Sequence, residues 1–485
     1  MIFNSFSFLI FFIIFLILYW TLNLKLRLIL IFFSSLLFYG FWRIDFIPLL
    51  LFSVLVDFFA SKKIYQTKQK KTKKKYLILS LFINLGILIF FKYFYFLHES
   101  TSQLLSLVGV NVMPIEYKIL LPIGISFYTF QSISYTIDVY RNNIKPEKNL
   151  LIFANYVIFF PQLVAGPILR ASEILWQFKE KRKFKLENFN NGIQRIIFGL
   201  FLKIVLADNI AKFVDQGFLM DPKLISAIDV ITLSYLFGFQ IYFDFAGYSH
   251  IAIGCALTMG IKFRENFNFP YHSISPKIFW KNWHISLSSW VRDYIYLPLL
   301  NIKSVNSSGG GFDKYLDHQS LRLYTIFTLF ITWSLMGLWH GASWNFVFWG
   351  IWNFLVIVLF RFINNFLMNN SFLKNIISWS ISINLIMLGW VFFRSENLDL
   401  SFQMINNLLF IKNWTFLSLR ENTYIVAFIV TFFYLISPLI IKIFKFISKK
   451  YKLMADFILL ISIVSSLILI LIYNQEVNQF IYFQF

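Results

Sequence analysis

Long apolar blocks recur along the whole chain and constrain its fold more than any other feature of the sequence. The first, FLIFFIIFLILYW at residues 8–20, has no charged residue, and blocks of similar character follow it. A helix that crosses a bilayer needs roughly 20 predominantly apolar residues, whereas the strands of a membrane β-barrel alternate apolar and polar residues. Because these blocks do not alternate, the sequence predicts an all-α polytopic membrane protein.

The charged residues are few, at 14% of the 485 residues, and the basic ones lie between the apolar blocks. The formal charge of +21 therefore does not indicate nucleic-acid binding, since basic loops are typical of the cytosolic side of membrane proteins. Segment 61–76 contains eight lysines and no acidic residue, which predicts that it is cytosolic. Counting spans outward from it predicts about 11 to 13 transmembrane helices, with both termini extracytoplasmic.

Two segments do not fit a simple span. Segment 150–170 has basic flanks on both sides and contains prolines, so it is predicted to be re-entrant and covered by protein. Segment 322–360 is too long for one span and is predicted to break near His340. Segment 244–319 is predicted to lie in the cytosol or at the interface. The predicted spans lie near residues 6–20, 27–42, 45–60, 76–97, 119–137, 192–207, 227–243, 322–360, 374–393, 424–441 and 455–473.

His340 is a titratable residue in an otherwise apolar run, SLMGLWHGASWNFVFWG at residues 334–350. A polar side chain at membrane depth costs a few kcal/mol unless it faces protein or water. A neutral imidazole is the least costly titratable group to bury and can act as a general base. Glycines flank it, so the backbone is expected to approach a substrate closely there. The alternative is a packing histidine bonded to a neighbouring carbonyl group.

Two further clusters carry polar side chains. Asp244 lies in QIYFDFAGYSH at residues 240–250, where the alternative to a functional role is capping of the next helix. His284 lies in WKNWHISLSSW at residues 280–290, with Ser288 four residues later on the same helix face. This spacing does not by itself indicate a catalytic triad, because a triad is assembled by the fold. An interfacial aromatic belt with a neutral histidine is the alternative.

Neither a metal nor a bound cofactor is predicted. Cys255 is the single cysteine, which excludes an internal disulfide and a cysteine cluster for metal. The six histidines show no spacing typical of metal ligands. The GGG at residues 309–311 follows no strand and lacks the lysine of a phosphate-binding loop.

Four motifs together resemble the membrane-bound O-acyltransferase family, and most closely its branch of alginate and peptidoglycan O-acetyltransferases. They are FFPQLVAGPILR, YFDFAGYSHIAIG, FWKNWHISLSSWVRDYIYLPL and LWHGASWNFVFWG, and their order is preserved between about residues 110 and 400. The resemblance implies a ring of helices around a central tunnel, formed by a single membrane domain over residues 1–473. It also implies a bacterial cytoplasmic (inner) membrane protein.

The resemblance also implies which residues act. His340 falls on the family's active-site histidine and His284 on a second one, nearer the cytosol. The tunnel or supporting residues implied are Asp244, Trp283, Ser288, Arg292, Asp293 and Trp339. The donor substrate implied is cytosolic acetyl-CoA, whose phosphates Lys277 and Lys281 are expected to attract. The partner implied is an extracytoplasmic acetyltransferase of the SGNH or serine-esterase type, which completes transfer to a cell-envelope polysaccharide such as peptidoglycan or an alginate-like polymer.

The last residues, NQEVNQFIYFQF at 474–485, form an aromatic tail that is predicted to be extracytoplasmic. The tail resembles a terminal motif of the same branch, in which a tyrosine is thought to carry the acyl group. Here that tyrosine is Tyr482, and the alternative is an aromatic anchor at the membrane interface.

Other functions remain open from the sequence. A transporter of a small solute would also contain broken helices and buried histidines, although no paired repeat is visible. A D-alanyl or lipid acyltransferase of the same family is a further alternative.

Overall fold

The computed structural model describes residues 1–113, 115, 119–301, 323–367, 372–474 and 480–481. These residues form α-helices joined by short 3₁₀ and π segments, and no strand occurs among them. Eight helical stretches in this part of the chain are long and apolar enough to cross a membrane. The prediction of an all-α polytopic membrane protein is therefore confirmed.

The chain folds into two compact units, unit 1 with Met1–Ile196 and Tyr248–Glu265, and unit 2 with Ile197–Gly247 and Asn266–Ile481. The helices wholly in unit 1 are α1 (Phe6–Thr21), α2 (Leu24–Gly40), α3 (Ile47–Gln66), α4 (Lys70–Leu88), α5 (Phe94–Ser106), α6 (Ile125–Tyr140), α7 (Leu150–Ile158), α8 (Phe160–Leu163) and α9 (Ala171–Ile174). Residues of α10 (Leu186–Leu200) and α12 (Ala227–Thr258) belong to both units, and α11 (Asp208–Phe218) lies in unit 2.

The remaining helices of unit 2 are α13 (Pro276–Asn282), α14 (Ile285–Val291), α15 (Leu297–Leu299), α16 (Leu323–His340), α17 (Trp344–Leu367), α18 (Phe372–Arg394), α19 (Leu398–Asn406), α20 (Glu421–Lys450) and α21 (Lys452–Tyr473). The π segments are Ile89–Tyr93, Phe201–Ala207 and Arg292–Tyr296. The 3₁₀ segments are Ile44–Phe46, Gln177–Lys179, Pro222–Leu224, Pro270–His272, Asn407–Leu409 and Ile411–Trp414.

In unit 1, α3 packs against α4, α6 and α7, and α2 packs against α7. Segment 150–170, predicted to be re-entrant, consists of α7, the one-turn α8 and an irregular stretch, and nearly all of its residues are buried. Broken backbone is tolerated at membrane depth only where protein covers it. The burial of this segment therefore agrees with the sequence-based prediction.

In unit 2, α16 packs against α17, α17 packs against α18, and α13 contacts both α17 and α18. The long helices α20 and α21 pack on each other but expose most of their apolar side chains, as expected for helices that face lipid. The predicted break near His340 is confirmed, because α16 ends at this residue and α17 begins at Trp344.

Several predicted spans are longer in the structure, since residues 76–97 lie in the helical stretch Lys70–Ser106 and residues 192–207 lie in the consecutive run of α10, a π segment and α11. The span predicted at residues 227–243 continues as α12 to Thr258, so Asp244 lies inside this helix and does not cap the next one. The continuation is possible because α12 is largely buried. Its polar side chains therefore contact protein groups and not lipid.

Candidate active site

His340 is the last residue of α16, and aromatic rings enclose it. The centroid of its imidazole ring lies 4.9 Å from that of Trp349 in α17 and 5.2 Å from that of Phe393 in α18. The ring of the preceding residue, Trp339, is also 4.9 Å away. Three consecutive helices therefore surround this imidazole, and His340 is only 4% exposed.

The crossing of α16 and α17 depends on glycines. A Cβ at Gly337 would overlap the carbonyl oxygen of Phe346, and a Cβ at Gly350 would overlap a carbonyl oxygen of α16. The space beside Gly341 is filled by the Phe346 ring. These glycines allow close helix packing, and the expected approach of a substrate to the backbone beside His340 stays a prediction.

His284 lies in the turn between α13 and α14 and is fully buried. Its backbone is left-handed, with a φ of 42°. This conformation is strained for a residue other than glycine and persists only where the surrounding structure maintains it. Asn266 holds the turn: its backbone oxygen accepts from the Ile285 N–H at 2.9 Å. Its side-chain oxygen accepts from the N–H and the hydroxyl of Ser286 at 3.2 and 2.8 Å. Burial lowers the pKa of His284 to about 3, so the ring is neutral at physiological pH.

The two imidazoles contact the same indole ring. The Trp339 centroid lies 4.9 Å from the His340 ring and 6.1 Å from the His284 ring. Trp283 joins the group through Trp390, with 5.1 Å between their centroids. We call the following residues the aromatic cluster: Trp283, Trp339, Trp349, Trp390 and Phe393. The structure thus brings together residues that the sequence placed in two separate motifs.

The other polar residues of the His284 motif make local bonds. The Ser288 hydroxyl donates to the Trp283 carbonyl oxygen at 3.2 Å, as hydroxyls near the start of a helix commonly do. The Arg292 Nε lies 2.6 Å from the Asp293 Oδ1, in the π segment that follows α14. The bond of Ser288 is to the backbone of the turn and not to the His284 ring, so these two residues do not form a nucleophile–base pair.

Lys277 and Lys281, predicted to attract coenzyme A, lie one turn apart on α13 and are partly exposed. The buried side of the same short helix carries Trp280, whose ring lies 5.6 Å from that of Trp349. The helix therefore connects two partly exposed cations with the aromatic cluster. This arrangement is compatible with a donor-binding role, which stays a prediction.

Asp244 is 2% exposed and belongs to a buried network of charges. The Lys203 Nζ lies 2.7 Å from Asp244 Oδ1 and 2.8 Å from Asp208 Oδ1. Lys203 is carried by the π segment Phe201–Ala207, and such segments are frequent at functional sites. A Cβ at Gly247, one turn after Asp244, would lie 3.1 Å from the Lys203 backbone nitrogen, so glycine permits this approach. We call Lys203, Asp208 and Asp244 the ion network. Burial raises the pKa of Asp208 to about 6, although Lys203 opposes that shift.

Two important residues were missed by the sequence analysis. Lys203 lies in the run FGLFLKIVLA, where a charged residue among apolar ones was a usable signal of the kind that identified His340. Asn266 offered no such signal, because it lies in a polar loop and its role depends on which turn it meets. Among the residues that the structure describes, no group of His, Cys, Asp and Glu is suited to a metal ion.

The tail reaches the site through two described residues. Phe480 and Ile481 are 1% and 7% exposed. The Ile481 N–H donates to Asp244 Oδ2 at 2.7 Å, and the Phe480 ring lies 5.5 Å from that of Phe245. Tyr482, predicted as the acyl carrier, lies outside the described residues.

The arrangement suits group transfer that must be protected from water. Two imidazoles, neither of which faces bulk solvent, contact the same indole ring inside a buried aromatic enclosure. The water-accessible passage implied by the sequence resemblance stays a prediction, since His340 is 4% and His284 is 0% exposed.

Comparison with known proteins identifies the family. The sequence profile described as MBOAT, membrane-bound O-acyltransferase family, matches residues 142–310. The probable alginate O-acetylase AlgI of Azotobacter vinelandii is 36% identical over 425 residues, which cover 87% of this chain and 80% of that protein. The peptidoglycan O-acetyltransferase of Helicobacter pylori is 34% identical over 410 residues, or 78% of this chain and 72% of that protein. The teichoic acid D-alanyltransferase of Streptococcus thermophilus is 28% identical over 281 residues, covering 55% of this chain and 64% of that protein.

The first two of these matches extend far beyond the segment that the family profile covers. Because a relative is matched over four-fifths of its length at 36% identity, this multi-pass membrane protein is an acyltransferase that belongs to the membrane-bound O-acyltransferase family.

Proposed function

We propose that the protein is a membrane O-acetyltransferase that passes acetyl groups from cytosolic acetyl-CoA to an extracytoplasmic acceptor. The observation that carries this proposal is the identity of 36% and 34% to an alginate O-acetylase and to a peptidoglycan O-acetyltransferase over most of the chain. The acceptor protein is an acetyltransferase of the SGNH or serine-esterase type, and the final product is an O-acetylated cell-envelope polysaccharide of the peptidoglycan or alginate class.

His340 acts as the general base of the transfer. The acceptor hydroxyl oxygen attacks the thioester carbonyl carbon while its proton moves to the imidazole. The carbon–sulfur bond then breaks, and the imidazolium returns the proton to the leaving thiolate, which gives free CoA and an acetyl ester. The enclosure of His340 by Trp339, Trp349 and Phe393 supports this role, because it separates the reacting thioester from bulk water.

His284 assists as a neutral group. Its lowered pKa excludes a charged imidazolium at physiological pH, so the ring acts only as a neutral hydrogen-bonding group. The shared contact with Trp339 supports a role in shaping the enclosure around His340. Lys277 and Lys281 act on the donor side, where two cations one turn apart favour a polyphosphate.

Tyr482 carries the acetyl group between the two proteins. Its phenolic hydroxyl is the first acceptor, and the partner's serine hydroxyl then attacks the tyrosyl ester and returns the proton to the phenolic oxygen. A phenol, with a pKa of about 10, leaves more readily than an alkoxide, so the tyrosyl ester is a competent donor. The burial of the preceding residues Phe480 and Ile481 supports this role. In the Tyr482→Phe variant, release of CoA should continue only by hydrolysis and acetyl transfer to the partner should stop; undiminished transfer would exclude the carrier.

The protein is oriented in the bacterial cytoplasmic membrane with its lysine-rich segment 61–76 in the cytosol and both termini outside. The support is the positive-inside rule applied to the eight lysines of that segment. Cysteine labelling tests the orientation: in a Cys255→Ala background, Lys68→Cys should react with an impermeant maleimide only after the cells are opened.

The decisive assay for the proposed reaction uses the full chain in proteoliposomes. With acetyl-CoA labelled in the acetyl group, the protein should release CoA and form a labelled ester in the presence of the acceptor. His340→Gln should lower this rate about 100-fold or more, because a positioned general base contributes at least that factor. The matched control is His98→Gln, a histidine of α5 in unit 1, which should leave the rate unchanged. Equal rates in the two variants would overturn the assignment.

A second candidate is D-alanyl transfer, favoured by the 28% identity to a teichoic acid D-alanyltransferase. The same proteoliposomes, offered a D-alanyl thioester in place of acetyl-CoA, distinguish the two. Transfer from the D-alanyl donor alone would replace the acetyl proposal. Passage of a labelled solute without thioester cleavage would instead indicate a transporter.

A further inference from the structure

The final described residues of the chain are more deeply buried than the helix that precedes them. Most apolar side chains of α21 are exposed, yet Phe480 is 1% and Ile481 is 7% exposed. Residues buried in this way need partners for their polar backbone groups, because an unsatisfied N–H in an apolar environment is costly. The Ile481 N–H has such a partner in Asp244 Oδ2, at 2.7 Å.

Asp244 is oriented to receive this N–H by the ion network. Lys203 lies on the other carboxylate oxygen, Oδ1, at 2.7 Å, and is itself held by Asp208 at 2.8 Å. One oxygen is thus committed to the ammonium group, and the second accepts from the tail. A hydrogen bond from an amide to a carboxylate is about twice as strong as one between neutral groups. Because Asp244 accepts from a backbone N–H, this contact can hold the tail independently of the tail's side chains.

The helix before the tail packs near the ion network. Helix α21 packs against the π segment Phe201–Ala207, which carries Lys203. The helix that precedes the tail in the sequence therefore contacts the same segment that carries Lys203.

The side chain of Phe480 continues the contact toward the histidines. Its ring centroid lies 5.5 Å from that of Phe245, the neighbour of Asp244 in α12. The Phe245 ring in turn lies 4.5 Å from the His284 ring, at an interplanar angle of 78°. A tail residue is thereby separated from the buried imidazole by a single aromatic side chain.

We propose that Asp244, held by Lys203, is an internal docking site that binds the backbone of the tail at residue 481 and seats Phe480 against Phe245. Asp244 is a positioning residue: it fixes the chain one residue before Tyr482. The consequence for catalysis rests on the proposed carrier role of that tyrosine, whereas the docking itself does not. The occupant is this chain's own final segment, and the recognised group is its N–H.

The test removes that N–H alone. Ile481→Pro keeps the chain length and deletes the donor, and the matched control Ile481→Val keeps the donor and most of the apolar side chain. A photoreactive benzoylphenylalanine in place of Phe480 reports docking, because on irradiation it should cross-link to the peptide that contains Phe245. Mass spectrometry of the digested full-length protein measures the yield. Asp244→Ala is the second variant, and its folding is checked by the melting temperature of the purified protein.

The cross-link should form in the Ile481→Val protein and fall at least tenfold in Ile481→Pro and in Asp244→Ala. An unchanged yield in Ile481→Pro, with the control at the same level, would overturn the docking site. Acetyl transfer to the partner, measured on the same samples, separates the two proposals. Lost cross-linking with undiminished transfer supports the docking site and rejects its proposed consequence for catalysis. Loss of both supports both.

Discussion

Gly337 of α16 and Gly350 of α17 meet without a side chain between them: a Cβ built on Gly350 would lie 3.3 Å from the Gly337 Cα. This contact brings the two helices close enough for the Trp349 ring to reach His340, which ends α16 one turn after Gly337. The position of the candidate base is therefore set by a backbone crossing and not by a polar contact.

Gly337→Ala should force α16 and α17 apart, because the added methyl group meets the rigid carbonyl of Phe346 and not a flexible side chain. Overpacking of this kind costs about 1–3 kcal/mol, and displacement of His340 should lower acetyl transfer by at least tenfold. The melting temperature and the rate of CoA release measure the two effects. The control is Gly86→Ala in α4, where a Cβ meets nothing within 4 Å. A comparable loss of stability and rate in this control would contradict the assignment of the effect to the crossing of α16 and α17.

Asn266→Ala should relax the turn that holds His284. The substitution leaves the Ser286 N–H and hydroxyl without their acceptor, which costs about 1–3 kcal/mol for a buried group. The turnover rate should fall while the KM for acetyl-CoA changes little, since the Asn266 bonds hold the turn that carries the imidazole. Asn266→Asp, which keeps the acceptor oxygen, should restore most of the rate. The exposed neighbour Asn268 provides the control, and Asn268→Ala should behave as the unsubstituted protein.

His284 should make the folded protein sensitive to acid. Its pKa is lowered from 6.5 to about 3 by burial, so the unfolded chain binds a proton that the folded chain rejects. The contribution of His284 to the free energy of unfolding is fully present above pH 6.5. It is lost as the pH falls toward 3, by on the order of 1 kcal/mol per pH unit. His284→Asn removes the titration while tolerating the left-handed backbone. The melting temperature of the unsubstituted protein should fall toward that of the variant with each step from pH 6.5 down to pH 4.5. Parallel curves would contradict the lowered pKa.

Asp57 should be essential for the stability of unit 1. This fully buried carboxylate accepts hydrogen bonds from the Ser80 and Ser132 hydroxyls, from Asn84 Nδ2 at 3.1 Å and from Thr136 Oγ1 at 3.1 Å. These donors come from α4 and α6, so one side chain of α3 joins three helices. Asp57→Leu leaves three buried hydroxyl donors without this acceptor, since Asn84 Nδ2 still donates to the Ser80 carbonyl oxygen at 3.0 Å. It should destabilise the protein by several kcal/mol, at about 1–3 kcal/mol for each donor.

The control for Asp57 is Asp45→Leu, because that carboxylate is 71% exposed and pairs only with the exposed Arg43 in the described contacts. A surface ion pair contributes about 0–1 kcal/mol, so the melting temperature should change little. If Asp57→Leu were equally mild, the three-helix role would be wrong.

The membrane class, the helical fold and the break at His340 were predictable from the sequence, because the free energy of placing a side chain in lipid depends mainly on that residue and its near neighbours along the chain. The same local argument identified His284 and Asp244 as residues that need protein partners. It applies equally to Lys203, a charged residue within a predicted span. The motifs also indicated the family, which the comparisons confirmed.

Only the tertiary structure decided which partners those residues have. Three contacts depend on how the helices pack. His284 and His340 both contact the Trp339 ring, Lys203 pairs with Asp244, and the Ile481 N–H donates to Asp244, which is 237 positions away in the sequence. Such contacts arise from the shape complementarity of whole faces, set by glycines such as Gly337 and Gly350. A polar residue in an apolar run indicates that a polar partner is required. Which residue is that partner depends on the packing of the helices, which no local stretch of sequence contains.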